Sequence, residues 1–218
     1  MENEEGCVTA IIDSGTVVSS DGRARRRSDN RARIVTAFLE LIRAGIVSPS
    51  AQAVAERAKV SPRTVFRCFQ DMESLNREVV IALRDEFLPR ARLDLSTTDR
   101  RERLIRLVRN RASMFEDMTP FRLAAEAYRH RSGVLAGDHA FLVAMERERL
   151  DSAVSPDGAL GAVTAEALSA VTCFDFWRRL RSDQDLPPAE AESVMLASAL
   201  AIFDAGPDAG PVSGDAKS

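Results

Sequence analysis

The 218-residue chain has no uninterrupted apolar run approaching the roughly 18 residues of a membrane span, so no span is expected. Its first residues, "MENEEG", lack the positive start of a secretory signal, and the expected location is the cytoplasm. Cysteine is scarce. Cys7, Cys68 and Cys173 are odd in number and far apart, which excludes a disulfide framework or a zinc-ligand pattern and leaves free thiols. Histidine is scarcer still, with only His130 and His139. No glycine-rich phosphate loop, paired-ligand spacing or strand-turn-helix nucleophile is present. No catalytic residue, metal ligand or cofactor is therefore assigned, and a helical enzyme is the distant reading. What is plentiful is apolar residues, 45% of the chain, enough for a substantial core at this length.

The net charge of -3 hides a strong asymmetry. Residues 1–22 carry five acids and no base, residues 23–69 sum to +8, and everything beyond sums to -6. A basic segment inside an acidic protein is either an electrostatic footprint for a polyanion, nucleic acid being the usual one, or a solvated basic surface. Charge alone leaves the two level.

The periodicity predicts an all-α fold. Residues 1–27 lack sustained periodicity and read as a disordered arm ending in "GRARRRSDNRAR". From Asp29, the positions Ile34, Val35, Phe38, Leu41 and Ile42 share one helix face, and Gly45 stops it. Ser50 is the expected N-cap of a short helix, "AQAVAERA", with a face of small residues. Lys59 and Val60 connect to a third helix, with Ser61 as cap and Pro62 at its first position. This helix is expected to hold Val65, Phe66 and Phe69 toward a core and Arg63, Thr64 and Arg67 outward. Two short helices joined by a tight turn, the second opening on polar and basic residues, form a helix-turn-helix pattern. A helix fits the major groove, arginine can bond a guanine edge twice, and threonine can offer a hydroxyl and a methyl.

The run "RARIVTAFLELIRAGIVSPSAQAVAERAKVSPRTVFRCFQDMESL", residues 31–75, resembles the DNA-binding domain of TetR-family transcriptional regulators. The matching pieces are the first helix with its closing "AG", then "VAERA", "VSPRTVFRCF" and "DMESL". The resemblance implies a DNA-binding domain over residues 28–74. It also implies a helical effector-binding and dimerising domain over 75–205, and repression of a pseudo-palindromic double-stranded DNA operator, relieved by a small molecule. The residues assigned to DNA are Arg25, Arg26, Arg27, Arg31, Ser50, Gln52, Lys59, Ser61, Pro62, Arg63, Thr64, Phe66 and Arg67. The family commonly has glycine at Lys59, tyrosine at Phe66, histidine at Cys68 and lysine at Met72. With the tyrosine and lysine gone, two phosphate contacts are missing, and Arg23 with the other arm arginines is expected to compensate.

Further along, Asp71 is expected to cap a helix over about 72–92, with Pro89 as kink or end. Asp99 and Glu102 read as a capping box for the next, and Thr119 and Pro120 as the start of another, to about Arg131. Helices over 138–153, 159–182 and 188–204 follow, then a disordered tail, 206–218. The last two helices have a broad apolar surface, read either as a homodimer face or as internal core. The middle helices carry Met114, Phe115, Met118, Phe121, Tyr128, Phe141, Met145, Cys173 and Trp177. Each alone reads as core by default, but the set suits an apolar or aromatic effector in the place where the family keeps its cavity. Arg122, Tyr128, His130 and Arg178 are the candidate polar anchors, although His130 also fits a helix end. The competing regulator answers to a protein partner or to oxidation of Cys68 beside Arg67.

Overall fold

A computed structural model describes residues 18–156 and 160–206, all helix, turn and loop with no strand among them. Residues 1–17 of the expected arm, Cys7 included, and the tail beyond Gly206 lie outside the described residues. No helix among the described residues is long and apolar enough to cross a membrane.

Helix α1 (Val18–Arg43) begins well before the expected Asp29, so residues 18–27 are helical rather than irregular. The packed segment Ile34–Ile42 nucleates the helix, and the arginine-rich stretch before it propagates it backward at one hydrogen bond per residue. Gly45, at φ 89°, ends it, and the Ile46 N–H reaches back to the Leu41 carbonyl at 3.0 Å.

Helix α2 (Ala51–Ala58) starts where Ser50 accepts the Ala53 N–H, and α3 (Pro62–Cys68) where Ser61 accepts the Thr64 N–H at 3.2 Å. Between them Lys59 sits left-handed at φ 53° and ψ 46°, the conformation that glycine adopts freely. Helix α4 (Met72–Phe87) opens on Asp71 and Ser74, which cap each other reciprocally, and it ends just before Pro89. The Ser74 hydrogen bonds hold the Asp71 carboxyl below its ordinary pKa.

Helix α5 (Arg100–Glu126) runs straight through Thr119 and Pro120, where a new helix was expected. Buried residues on either side of the proline, Phe115, Met118 and Phe121, hold the helix together across it, and the Thr119 hydroxyl bonds the Phe115 carbonyl at 2.6 Å. At its start Asp99 accepts the Arg101 N–H, while Glu102 pairs with Arg106 instead of closing a capping box. A 3-10 turn, Arg129–Arg131, leads to α6 (Gly133–Val154), capped by Ser132 and beginning five residues before the expected 138.

The expected helix over 159–182 is broken. It consists of α7 (Ala162–Val171), α8 (Phe174–Arg178) and a π-helical turn, Arg179–Asp183. Helix α9 (Pro188–Asp204) closes the described chain.

Two apolar cores share α5. The first joins Ile34, Val54, Val65 and Phe69 to Leu75 and Val79 of α4 and to Met118 and Phe121 of α5. The second joins Leu104, Leu107 and Phe115 to Leu150, Leu168, Trp177 and Met195. The boundary drawn at residue 74 thus falls inside a continuous core.

Candidate functional site

The outer face of α3 is held from behind by arginines of α1. Arg33 donates Nη2 to the Ala58 carbonyl at 2.6 Å and the Lys59 carbonyl at 3.2 Å, covering the end of α2. Arg31 donates to the Cys68 carbonyl at 2.5 Å and pairs with Glu78 at 2.6 Å, its guanidinium 4.5 Å above the Phe69 ring. Arg31 was assigned to DNA by sequence, but these contacts commit it to fastening α3 and α4 to α1.

The remaining assigned residues divide into those that shape the surface and those that present it. Ser50 and Ser61 are caps, Gln52 bonds Glu56 at 2.7 Å, and the Thr64 hydroxyl meets Ser61 Oγ at 2.9 Å. Lys59, Pro62, Arg63 and Arg67 are exposed, as are Arg25, Arg26 and Arg27 in the first half of α1. Phe66, expected against the core, is 65% exposed. Val65 and Cys68, three residues apart, set the inward face of α3, and Phe69 joins the core from extended backbone past the helix end, so Phe66 is turned out to solvent.

A cavity of about 800 Å³ lies between α1, α4, α5 and α6, with the 3-10 turn and α8 also on its wall, within the range of small-molecule sites. Met114, Met118, Phe121, Tyr128 and Met145 line it as the sequence reading expected, along with Arg122 and Arg178. Phe115, Phe141, Cys173 and Trp177 do not line it. Phe115 and Trp177 are packed in the second core, Phe141 lies on the surface 3.9 Å under the Arg84 guanidinium, and Cys173 bonds the Ala170 carbonyl at 3.1 Å. His130, in the 3-10 turn, does not line it, although its neighbours Arg129 and Arg131 do. Sequence reasoning missed the opposite wall, Phe38, Leu39 and Ile42 of α1 with Val79 and Leu83 of α4. Their apolar periodicity was the available signal, but it reads the same for a residue packed on a neighbour and one facing a cavity.

A buried polar network borders this cavity. Arg111 is 5% exposed and donates Nη1 to the Thr172 carbonyl at 2.9 Å and hydroxyl at 2.6 Å, and Nη2 to the Glu146 carbonyl. These bonds fall at the junction of α7 and α8, which explains the break: the Thr172 carbonyl has turned from the helix to the guanidinium. Burial lowers the Arg111 pKa to about 10, with Glu146 opposing the shift. Glu146 pairs with Arg122 at 2.6 Å, both side chains about nine-tenths buried, and accepts the Phe174 N–H at 3.4 Å. The Arg122 guanidinium lies 4.1 Å from the Phe174 ring centroid.

Among the described residues no group of three or more His, Cys, Asp or Glu is placed to hold a metal. No family model matches this chain, and neither a curated protein nor a solved structure matches it.

Proposed function

We propose that the chain is a DNA-binding transcriptional regulator similar to the TetR family, acting as a dimeric, ligand-responsive repressor. The observation that carries this reading is the outer face of α3. Arg63 and Arg67 stand exposed, without a partner among the described residues, beside an exposed Phe66 on a short helix fixed by the Ser61 cap and by Arg31. Cations left unspent on a helix narrow enough for the major groove suit base edges and phosphates. The caps give that face a fixed orientation, so α2, Lys59 and α3 work as a helix-turn-helix. The exposed Arg25, Arg26 and Arg27 add further basic surface on the helix that holds α3.

Dimerisation through α7 and α9 is supported by Val163, 81% exposed, and by the exposed Val194. Two copies related by a two-fold axis would match half-sites about one helical turn, or a multiple, apart. The cavity against α1 is the effector site in this reading, since an occupant there touches the helix that holds α3. The buried position of Cys68 counts against the thiol-sensor alternative.

The test is a mobility shift of the purified protein on its own upstream DNA, with random DNA as control. Selective retardation is expected, and equal affinity for both sequences overturns the reading. Deleting residues 1–27 is expected to weaken binding and to flatten the salt dependence by about 0.9 in slope for each phosphate no longer neutralised. An unchanged slope removes the early part of α1 from the interface.

A further inference from the structure

The cavity wall is mostly apolar along α1 and α4, apart from Glu73, Asn76 and Arg84, while its far end mixes arginines with the carboxylates of Glu126, Asp138 and Asp175. Five of the lining residues on α5 and α6, Met114, Met118, Arg122, Leu142 and Met145, also line a small adjoining cleft together with Arg111, Glu146 and Arg149. Arg122 pairs with the Glu146 carboxylate, and Arg111 donates to the Glu146 backbone carbonyl. Arg111 gives its bonds to neutral oxygens, and Arg149 donates to the Ala91 carbonyl. Burial holds the Arg149 guanidinium below its ordinary pKa, with Glu148 opposing that shift and Arg92 adding to it. Arg111 and Arg122 are thus both buried beside Glu146, but only Arg122 is paired with its carboxylate.

Arg122 is the group that an occupant can reach. Its side chain is 10% exposed, its ring-stacked plane is fixed by Phe174, and only Nη1 is spent, on Glu146. Nε and Nη2 have no hydrogen-bond partner among the described residues, so donors remain unspent on the cavity wall. Buried guanidinium donors ordinarily find acceptors, and a planar carboxylate fits their fork.

We infer that the cavity takes an amphipathic carboxylate, with its apolar body along Phe38, Ile42, Leu83 and Met118 and its head on Nε and Nη2 of Arg122. This deepens the effector-site reading above and rests on it. The head takes up the unspent donors of Arg122, and the apolar body reaches the helix that fastens α3.

The experiment is calorimetric titration of the full chain with dodecanoate and with dodecanol, at about pH 8, where the carboxylate is ionised. Dodecanoate is expected to bind about ten- to a hundredfold tighter, as a charge-assisted hydrogen bond implies. Arg122→Gln should abolish that preference while leaving dodecanol binding within about twofold. Glu146→Gln removes the competing carboxylate and should strengthen dodecanoate binding alone, which keeps the test decisive if the Arg122 variant does not fold. Equal binding of both probes, binding of neither, a preference that survives Arg122→Gln, or an unchanged Glu146→Gln overturns the inference. The regulatory reading is judged separately by adding dodecanoate to the mobility shift. Tight binding without release of DNA keeps the carboxylate subsite and removes its regulatory role.

Discussion

Arg63 and Arg111 bring the same side chain into opposite surroundings. Arg63, on α3, stands in solvent with no partner among the described residues, whereas Arg111, on α5, is buried and spent on the Thr172 and Glu146 oxygens. The first region settles its backbone with short-range caps and so leaves its cations free to meet something outside. The second uses a cation to hold its own backbone, joining the broken α7–α8 junction to α5 and α6. The same guanidinium chemistry thus stays available to an outside partner where water surrounds it and serves architecture where water is excluded.

The largest effect that would break this contrast is expected at Arg111. Arg111→Ala leaves the Thr172 and Glu146 oxygens unpaired and opens a cavity, and should cost about 3 kcal/mol or more in chemical denaturation. A loss below about 1 kcal/mol would mean that Thr172 sets the helix break without the arginine. Arg63→Ala should do the reverse. Stability should stay within about 0.5 kcal/mol, while binding to the cognate operator weakens by about 1 to 3 kcal/mol. Equal weakening on random DNA would reduce Arg63 to a phosphate contact. Ser61→Ala removes the cap that orients α3 and should cost about 1 kcal/mol of stability, readable in thermal melts. The smallest change is expected at Lys59. Lys59→Gly relieves the left-handed backbone and should raise stability by up to about 1 kcal/mol, with any accompanying drop in DNA affinity measuring the ammonium's own contribution.

Sequence reading succeeded where the physics is local. Ser50, Ser61 and Asp71 each bond an N–H three residues on, so cap and partner stand in one short string. The left-handed backbone at Lys59 was hinted at only by the resemblance to a family that commonly has glycine at that position. Reading failed where the decisive partner is remote. Arg111 acts on Thr172 from 61 residues away, and no periodicity marks that junction. Pro120 looked like a start signal because its local preference is to break helices, but α5 is buried on both sides of it. Arg31 looked like one more cation of a basic arm until its bonds to Glu78 and the Cys68 carbonyl tied it to α3 and α4. The methionines of the cavity were found on α5 and α6. The α1 wall was not, because that helix had already been assigned to supporting α3.

The continuous core across residue 74 bears on how such a protein can be recombined. Val65 and Phe69 share their packing with Leu75 and Val79 of α4 and with Met118 and Phe121 of α5. A fragment cut at residue 74 would expose this underside, so the first three helices are not a unit of exchange by themselves. A chimera that imports them must also import α4 and the second half of α5, or rebuild that seam residue by residue.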